Sequence, residues 1–245
     1  GRDGDRPVIR GTSNILISEG KVGIFVDGVP FIGDSSSLDF SSFRNIEVIR
    51  GPQSAAYGRG TLAGATYYST RPITEELSGR VSATVAEHGQ YEVFGRAEGS
   101  IAPGLRASVA GKYYKFGGDF TNDVNGNDLG QETISLNTAI EWDASENFSL
   151  GLRYIFAEDD DDHYAIQLQD SSQNNCFQAD SRGYFCGTVQ APESFQIAEP
   201  DILNPGLQRT THRLIGDFDY GFADGYNLTG LFGYTDSSER TGADQ

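Results

Sequence analysis

Hydrophobic and polar residues alternate over long stretches of the chain from about residue 77 onward. The alternation predicts seven β-strands, at 78–88, 90–101, 104–117, 131–142, 147–158, 209–221 and 225–237. Successive residues of a strand point to opposite faces, so each strand divides its residues between two faces. In the last six predicted strands, one parity carries no Asp, Glu, Lys or Arg over five consecutive positions, beginning in strand two with Tyr91 and Val93.

The opposite parity of the same strands is charged. It carries ten ionisable residues: Glu92, Arg96, Glu98, Arg106, Lys112, Glu141, Arg153, Arg213, Asp217 and Asp219. Aromatic residues lie near the ends of the charge-free parity: Tyr91, Tyr113, Trp142, Phe148, Tyr220, Tyr226 and Tyr234. A soluble β-sandwich also alternates, but its strands are usually only ~5–6 residues long. Long strands with an apolar outer face and aromatic girdles favour a membrane β-barrel.

The predicted connections alternate between short and long. Tight turns are predicted at 102–104, 143–146 and 223–225, and the connections between them, 118–130 and about 159–208, are long. Only the first hairpin, at Gly89-Gln90, departs from this pattern: it is short although it lies at the end of the sheet where the other connections are long. Outer-membrane barrels have short periplasmic turns and long extracellular loops, so the pattern agrees with the barrel interpretation.

Composition adds an expectation about completeness. The chain has 245 residues and no methionine, and seven strands is an odd number, whereas bacterial single-chain barrels are even-numbered. We therefore expect a piece of a larger barrel. A net charge of −17 argues against a nucleic-acid partner. Hydrophobic residues make up 37%, which suffices if apolar side chains occupy one parity only.

The first 75 residues have a different pattern, with short apolar segments separated by glycine-rich turns. Val22 to Val26, then Asp27-Gly28 and Val29-Pro30, predict a strand, a tight turn and a second strand. The run from Ile46 to Gly64 reads IEVIRGPQSAAYGRGTLAG. Gly51-Pro52 is expected to end the strand before it, and Gly58, Gly60 and Gly64 to permit tight bends or close backbone approach.

These two motifs closely resemble the plug domain of TonB-dependent outer-membrane receptors. The resemblance covers residues 8 to 75 densely, and the later strands match in kind. It implies a membrane β-barrel with an N-terminal α+β plug: an incomplete plug at 1–75, lacking its N-terminal part, and at 76–245 the N-terminal portion of a barrel that has 22 strands in the family. The plug-motif residues are Asp27, Gly28, Glu47, Arg50, Gly51, Pro52, Tyr57, Gly58 and Gly64.

The resemblance also implies a function: active uptake of a scarce substrate, above all a ferric siderophore, across the bacterial outer membrane. The implied partners are the TonB–ExbB–ExbD complex, outer-membrane lipid and lipopolysaccharide, and a small molecule such as a metal chelate. By analogy, candidate ligand contacts at the plug apex are Phe31, Asp34, Ser35, Gln53, Tyr57 and Arg59. Uptake of a glycan or another nutrient is the alternative, and a passive porin or adhesin is a further one that the plug motif disfavours.

Arg50 is expected to be buried between plug and barrel wall and to need a carboxylate partner. Glu92, Glu98 and Glu141 are inward candidates, as in the family, where plug arginines pair with barrel glutamates; an ion pair within the plug is the alternative. Arg59 and Arg71 are expected to be solvated.

Three remaining features concern chemistry. Cys176 and Cys186 lie in the long loop, where an oxidising cell surface favours a disulfide over free thiols or a metal site. The acidic run from Glu158 to His163 is expected to be a solvated strand end, with Ca²⁺ binding as the alternative. The three histidines are scattered and match no catalytic constellation, so neither an enzyme nor a cofactor is expected.

Overall fold

Two β-sheets contain most of the residues described by the computed structural model of this chain. The structure describes residues 7–13, 21–31, 38, 40–58, 60–122, 126, 128–162, 171–177, 183–188, 196–197, 206–223 and 225–242. Within this part, no helix is long and apolar enough to cross a membrane.

The smaller sheet is formed by the region of the sequence motifs. It follows a two-stranded ribbon, β1 (Val8–Ile9) and β2 (Thr12–Ser13). The sheet itself contains β3 (Val22–Val26), β4 (Val29–Pro30), β5 (Phe43–Arg50) and β6 (Gly64–Thr70), in the order β4-β3-β6-β5. A 3₁₀ turn at Phe40–Ser42 precedes β5, and a one-turn helix, α1 (Ser54–Tyr57), lies between β5 and β6.

The larger sheet is an antiparallel meander of seven strands. Its members are β7 (Ser78–Ala86), β8 (Gln90–Ala102), β9 (Leu105–Phe116), β11 (Gln131–Ser145), β12 (Phe148–Asp161), β16 (Gly206–Ala223) and β17 (Tyr226–Gly242). Each pairs with its neighbour in this order. The seven predicted strands are confirmed, although the turn predicted at 143–146 is shorter because β11 continues to Ser145.

Short strands connect the long loops beyond one end of this sheet. They are β10 (Thr121–Asn122), β13 (Cys176–Phe177), β14 (Gly183–Tyr184) and β15 (Gln196–Ile197). β10 pairs with β15, so the loop after β9 contacts the loop after β12. A 3₁₀ turn at Ser171–Gln173 precedes β13.

The two faces of the larger sheet differ as the alternation predicts. Val93, Val109 and Ile140 on the charge-free parity are exposed. Arg96 and Glu98, on the charged parity, are buried. The reason is that the smaller sheet packs on the charged face: a buried apolar cluster joins Val26, Leu38 and Tyr68 to Ile155 and Ile215 of the larger sheet.

The charge-free face forms a band of constant length. It spans nine residues on each of four strands: 105–113 in β9, 134–142 in β11, 148–156 in β12 and 226–234 in β17. Nine residues extend about 30 Å along a strand.

The band is also staggered relative to the hydrogen-bond register. Its midpoints on β9 and β11, Val109 and Thr138, are paired, but Thr138 pairs on the other side with Tyr154, two residues from the β12 midpoint. A second shift of two residues separates the midpoints of β12 and β17. From β9 to β17 the stagger therefore averages one residue, a rise of ~3.4 Å, for each step of ~4.8 Å to the next strand. This ratio corresponds to a strand tilt of about 35°, and at that tilt the band is about 25 Å tall. Both values are those of outer-membrane barrels.

Candidate functional site: the contact between plug and barrel wall

The hairpin between β3 and β4 presents Asp27 to the larger sheet. Asp27 and Gly28 both have positive φ, 47° and 84°, which is the type I′ geometry that suits a two-residue hairpin. The Asp27 carboxylate accepts hydrogen bonds from the Thr70 backbone N–H (2.8 Å) and the Thr70 hydroxyl (2.7 Å). These bonds connect the hairpin to the end of β6. Burial, and secondarily the charge of Asp27, raises the pKa of the neighbouring Tyr67 phenol.

Arg153 of β12 meets this hairpin from the larger sheet. Its Nη2 donates to the Thr70 hydroxyl at 2.8 Å, and its Nε lies 3.6 Å from the Asp27 carboxylate. The Arg153 side chain is only 15% exposed. Asp27, Thr70 and Arg153 thus form a polar contact across the two sheets.

Glu98 of β8 is the centre of a second polar contact. One carboxylate oxygen accepts from Arg71 Nη2 at 2.9 Å and the other from Arg96 Nη2 at 2.6 Å. Arg96 also donates to the Ser42 hydroxyl at 3.0 Å. Because Arg96 and Glu98 side chains are each 5% exposed, the paired charges lie between the sheets rather than in solvent.

The segment that leaves the smaller sheet is attached by a third contact. The backbone N–H of Ile73 donates to the carboxylate of Glu141, at 3.1 and 3.3 Å to its two oxygens. Arg106 lies 3.5 Å from Glu141 and donates to Asp143 at 2.9 Å. Glu141 therefore contacts both the connecting segment and Arg106 of the larger sheet.

Phe31 makes the contact at the other end of the hairpin. Its ring lies under the guanidinium of Arg213 of β16, 3.8 Å from Cζ to the ring centroid. Arg213 is 1% exposed and donates from Nε to the Thr235 hydroxyl at 3.1 Å. Phe31 was predicted as an apex ligand contact; in this structure its ring packs on the wall.

A cavity of about 470 Å³ remains between the sheets beside these contacts. Polar and charged side chains line most of it, among them Asp27, Arg71, Glu141, Arg153 and Asp217.

The glycines of the sequence motif adopt backbone conformations that other residues rarely adopt. β5 ends at Arg50, and Gly51 follows with φ +94°. Gly64 (φ +151°) has no room for a side chain, because a Cβ would collide with the Ile49 carbonyl oxygen. Gly58 and Gly60 also have positive φ, 77° and 84°.

The remaining motif residues have local roles in this structure. Tyr57 packs its ring on Phe25 and Tyr67, with centroids 5.1 and 6.1 Å apart. Gln53 precedes α1, and its carbonyl accepts from the N–H groups of Ala56 and Tyr57. Exposed Glu47 accepts a hydrogen bond from Asn45 at 2.7 Å. Of the other predicted apex residues, Asp34, Ser35 and Arg59 lie outside the described residues.

The expectation that Arg50 is buried against the wall is wrong for this structure. Arg50 is exposed and makes no ion pair with any described residue, because β5 is the edge strand of the smaller sheet. Glu98 and Glu141 do receive donors from the smaller domain, but these are Arg71 and the Ile73 backbone. Arg71, expected to be solvated, is therefore the plug arginine that pairs with the wall, and its place just before the first wall strand was the available signal.

The long loop contains the predicted cross-link. Cys176 and Cys186 form a disulfide, and Asn175 receives the Cys186 backbone N–H (2.6 Å) and donates to its carbonyl (2.9 Å). In the acidic run, Asp159 is buried and paired with Arg209 at 2.7 Å rather than solvated. The described residues contain no group of three or more His, Cys, Asp or Glu placed to hold a metal ion.

Comparison with known proteins agrees with this geometry. Residues 1–65 match the family model of the TonB-dependent receptor plug domain. By this match, residues 1–65 are a plug domain of the TonB-dependent receptor type. Receptors that carry this plug domain are outer-membrane β-barrel proteins. We therefore call the smaller domain the plug and the larger sheet the barrel wall.

The relatives of this receptor include siderophore receptors. It is 24% identical over 152 residues to the probable TonB-dependent siderophore receptor PirA of Acinetobacter baumannii, covering 61% of this chain and 20% of that protein.

Solved structures of TonB-dependent receptors share the fold. The ferric yersiniabactin uptake receptor FyuA from Yersinia pestis superposes with a TM-score of 0.74 at 18% identity, covering 95% of this chain and 34% of that one. The ferric-catecholate import receptor Fiu from E. coli K12 gives 0.68 at 15% identity, covering 93% and 33%. The receptor chain therefore spans about a fifth of the curated relative and a third of these structures.

Proposed function

We propose that the protein imports a scarce metal chelate, specifically a ferric siderophore, across the outer membrane, driven by the TonB–ExbB–ExbD complex. The observation that carries this proposal is the motif-bearing plug on the charged face of a tilted, lipid-facing β-wall. A plug in this position blocks the lumen next to the wall, so a bulky solute passes only when the plug moves.

The contacts between plug and wall support a driven step rather than free diffusion. Glu98, Glu141 and Arg153 each bind a group of the plug or of its connection to the wall, and Ile155 and Ile215 bury plug side chains. A charged hydrogen bond contributes ~1.5–3 kcal/mol when it is buried and less when it is partly exposed, as at Arg71, so displacing the plug requires work. A passive porin conducts by diffusion through an open lumen, so a plug that must be displaced does not fit that function.

The choice of substrate class draws on the relatives, whose names are those of siderophore receptors. We assign ligand contact to the plug apex residues Phe31, Asp34, Ser35, Gln53, Tyr57 and Arg59 and to the extracellular loops. Residues 1–75 act as the plug and residues 76–245 as wall and loops, with lipopolysaccharide around the outer end of the wall. The role is transport, without catalysis or a resident cofactor.

Uptake by whole cells tests this proposal. A strain lacking the receptor, the same strain with the receptor restored, and a restored strain lacking TonB are supplied with radiolabelled ferric siderophores of the catecholate and mixed-ligand classes. We expect accumulation only when receptor and TonB are both present, and better growth under iron limitation. Growth that depends on the receptor in carbohydrate-limited but not iron-limited medium would instead assign it to glycan uptake.

A further inference from the structure

Asp217 of β16 is an exposed carboxylate on the face of the wall that meets the plug. Within the described part of the chain it makes no hydrogen bond or ion pair, and it lines the cavity between plug and wall. Its register partner on β12 is Gly151, and a Cβ at that position would collide with the Asp217 carboxylate. The carboxylate therefore lies over β12, in space that glycine leaves open.

Arg153 is a cation of the neighbouring strand β12, close to Asp217. It lies two residues from Gly151 on the same face and pairs in register with Ile215, so Asp217 is its diagonal neighbour. Diagonal neighbours in a sheet are ~7–8 Å apart at Cα, within reach of a long side chain. In the seated state, however, the guanidinium is turned toward the plug, where it bonds Thr70 and lies beside Asp27.

We infer that Arg153 exchanges carboxylates during transport: Asp27 of the plug holds it while the plug is seated, and Asp217 of the wall takes it when the plug is displaced. This inference rests on the proposed function, because it presumes that transport displaces the plug. A cation that is 15% exposed is costly to leave unpaired, and a waiting carboxylate removes that cost. The cavity beside Arg153 gives the side chain room to turn.

Asp27 and Asp217 are expected to have opposite effects on the stability of the plug in its position against the wall. Asp27 stabilises the seated plug through Arg153, whereas Asp217 attracts the same cation and repels Asp27. Glu141 and Arg96 also face Arg153 and partly offset each other. Removing Asp217 is therefore expected to hold the plug more firmly, and removing Asp27 to release it more readily.

Plug release from the complete receptor tests the inference without any substrate. Val26, which is fully buried against the wall, is replaced by cysteine in all variants, and its labelling by a maleimide dye is followed in moderate urea. We expect Asp217→Asn to slow labelling about ten-fold and Asp27→Asn to accelerate it about ten-fold. Asp219→Asn, which removes the next inward carboxylate of β16, is the matched control and leaves the rate unchanged.

Two further variants complete the test. Asp217→Glu restores the carboxylate and is expected to recover the parent rate; Asp217→Ser provides a second way to remove the charge if the amide disturbs the barrel. Equal labelling rates for Asp217→Asn, Asp217→Ser and Asp219→Asn would overturn the inference. In cells, Asp217→Asn is expected to lower the uptake rate with unchanged chelate affinity. Because labelling needs neither chelate nor TonB, a failure of the proposed function leaves the labelling result readable.

Discussion

Glu98 of the wall holds Arg71 of the plug at 2.9 Å while its other oxygen holds Arg96 at 2.6 Å. One carboxylate thus neutralises a buried wall cation and attaches the plug. The two bonds differ in environment, because Arg71 is 42% exposed and Arg96 is 5% exposed. We therefore expect them to differ in energetic weight.

Replacing Glu98 by Gln should destabilise the receptor strongly, since Arg96 remains buried without its counter-charge. Breaking a buried pair costs about 3–5 kcal/mol. Arg71→Ala should cost only about 1 kcal/mol, because a partly exposed pair contributes little. Urea unfolding of the receptor in detergent micelles measures both. Glu92→Gln, on the same strand and face, is the control; equal losses for Glu92 and Glu98 would contradict this account.

The apolar contact between plug and wall can be tested at Ile215. This wall residue is 2% exposed and packs with Val26, Leu38 and Tyr68 of the plug. Ile215→Ala is expected to lower the free energy of unfolding by about 2–5 kcal/mol, through lost burial and an unfilled cavity. Ile140→Ala, which removes the same atoms from the exposed face, should have a much smaller effect in micelles. The difference between the two variants reports the plug contact.

Gly64 and Gly51 offer a matched pair for the plug motif. Both have positive φ, but a Cβ at Gly64 collides with the Ile49 backbone, whereas nothing lies within 4 Å of one at Gly51. Gly51→Ala should therefore cost about 1–2 kcal/mol from backbone strain alone. Gly64→Ala should cost about 2–5 kcal/mol, because strain and overpacking add. Thermal unfolding followed by circular dichroism would show whether the order holds.

Sequence patterning predicted the wall better than the plug seat, for a physical reason. Strand alternation is local: Val93 and Val109 face outward because their strands alternate and one face is apolar. The outer strand ends were underestimated because alternation of apolar residues stops at the membrane boundary, while β12, predicted to end at Glu158, continues through Asp159 and Asp160. These polar residues pair in the ladder without contributing to the hydrophobic pattern.

Pair choices within the site were not predictable in the same way. Glu98 and Glu141 were identified as inward acceptors, but the donor was assigned to Arg50 instead of Arg71. That choice depends on which strand of the plug sheet faces the wall, and sheet order is a long-range property. Asp27 was identified from its motif and Arg153 from its parity, but only the packing of the two sheets brings them together.

The disulfide of the long loop between β12 and β16 is expected to act locally. Replacing Cys176 and Cys186 by Ser should loosen the segment 176–186, because a short cross-linked loop gains about 2–3 kcal/mol from the constraint. The wall, whose strands lie elsewhere, should keep its stability. Limited proteolysis of whole cells would then show faster cleavage in this loop with an unchanged barrel fragment. Slower cleavage, or loss of the barrel, would contradict a local role.

The lipid-facing band makes a depth-dependent prediction. Leu152 lies at the midpoint of the nine-residue charge-free stretch of β12, and Glu158 follows its outer end on the same face. Leu152→Arg should destabilise the receptor in bilayers by about 2–4 kcal/mol, whereas an arginine near the interface costs about 0–1 kcal/mol. Glu158→Arg is therefore the matched control on the same strand. Reversible unfolding in phospholipid vesicles measures the difference, and because a wall facing water would tolerate both arginines equally, equal stabilities would show that this face does not meet lipid.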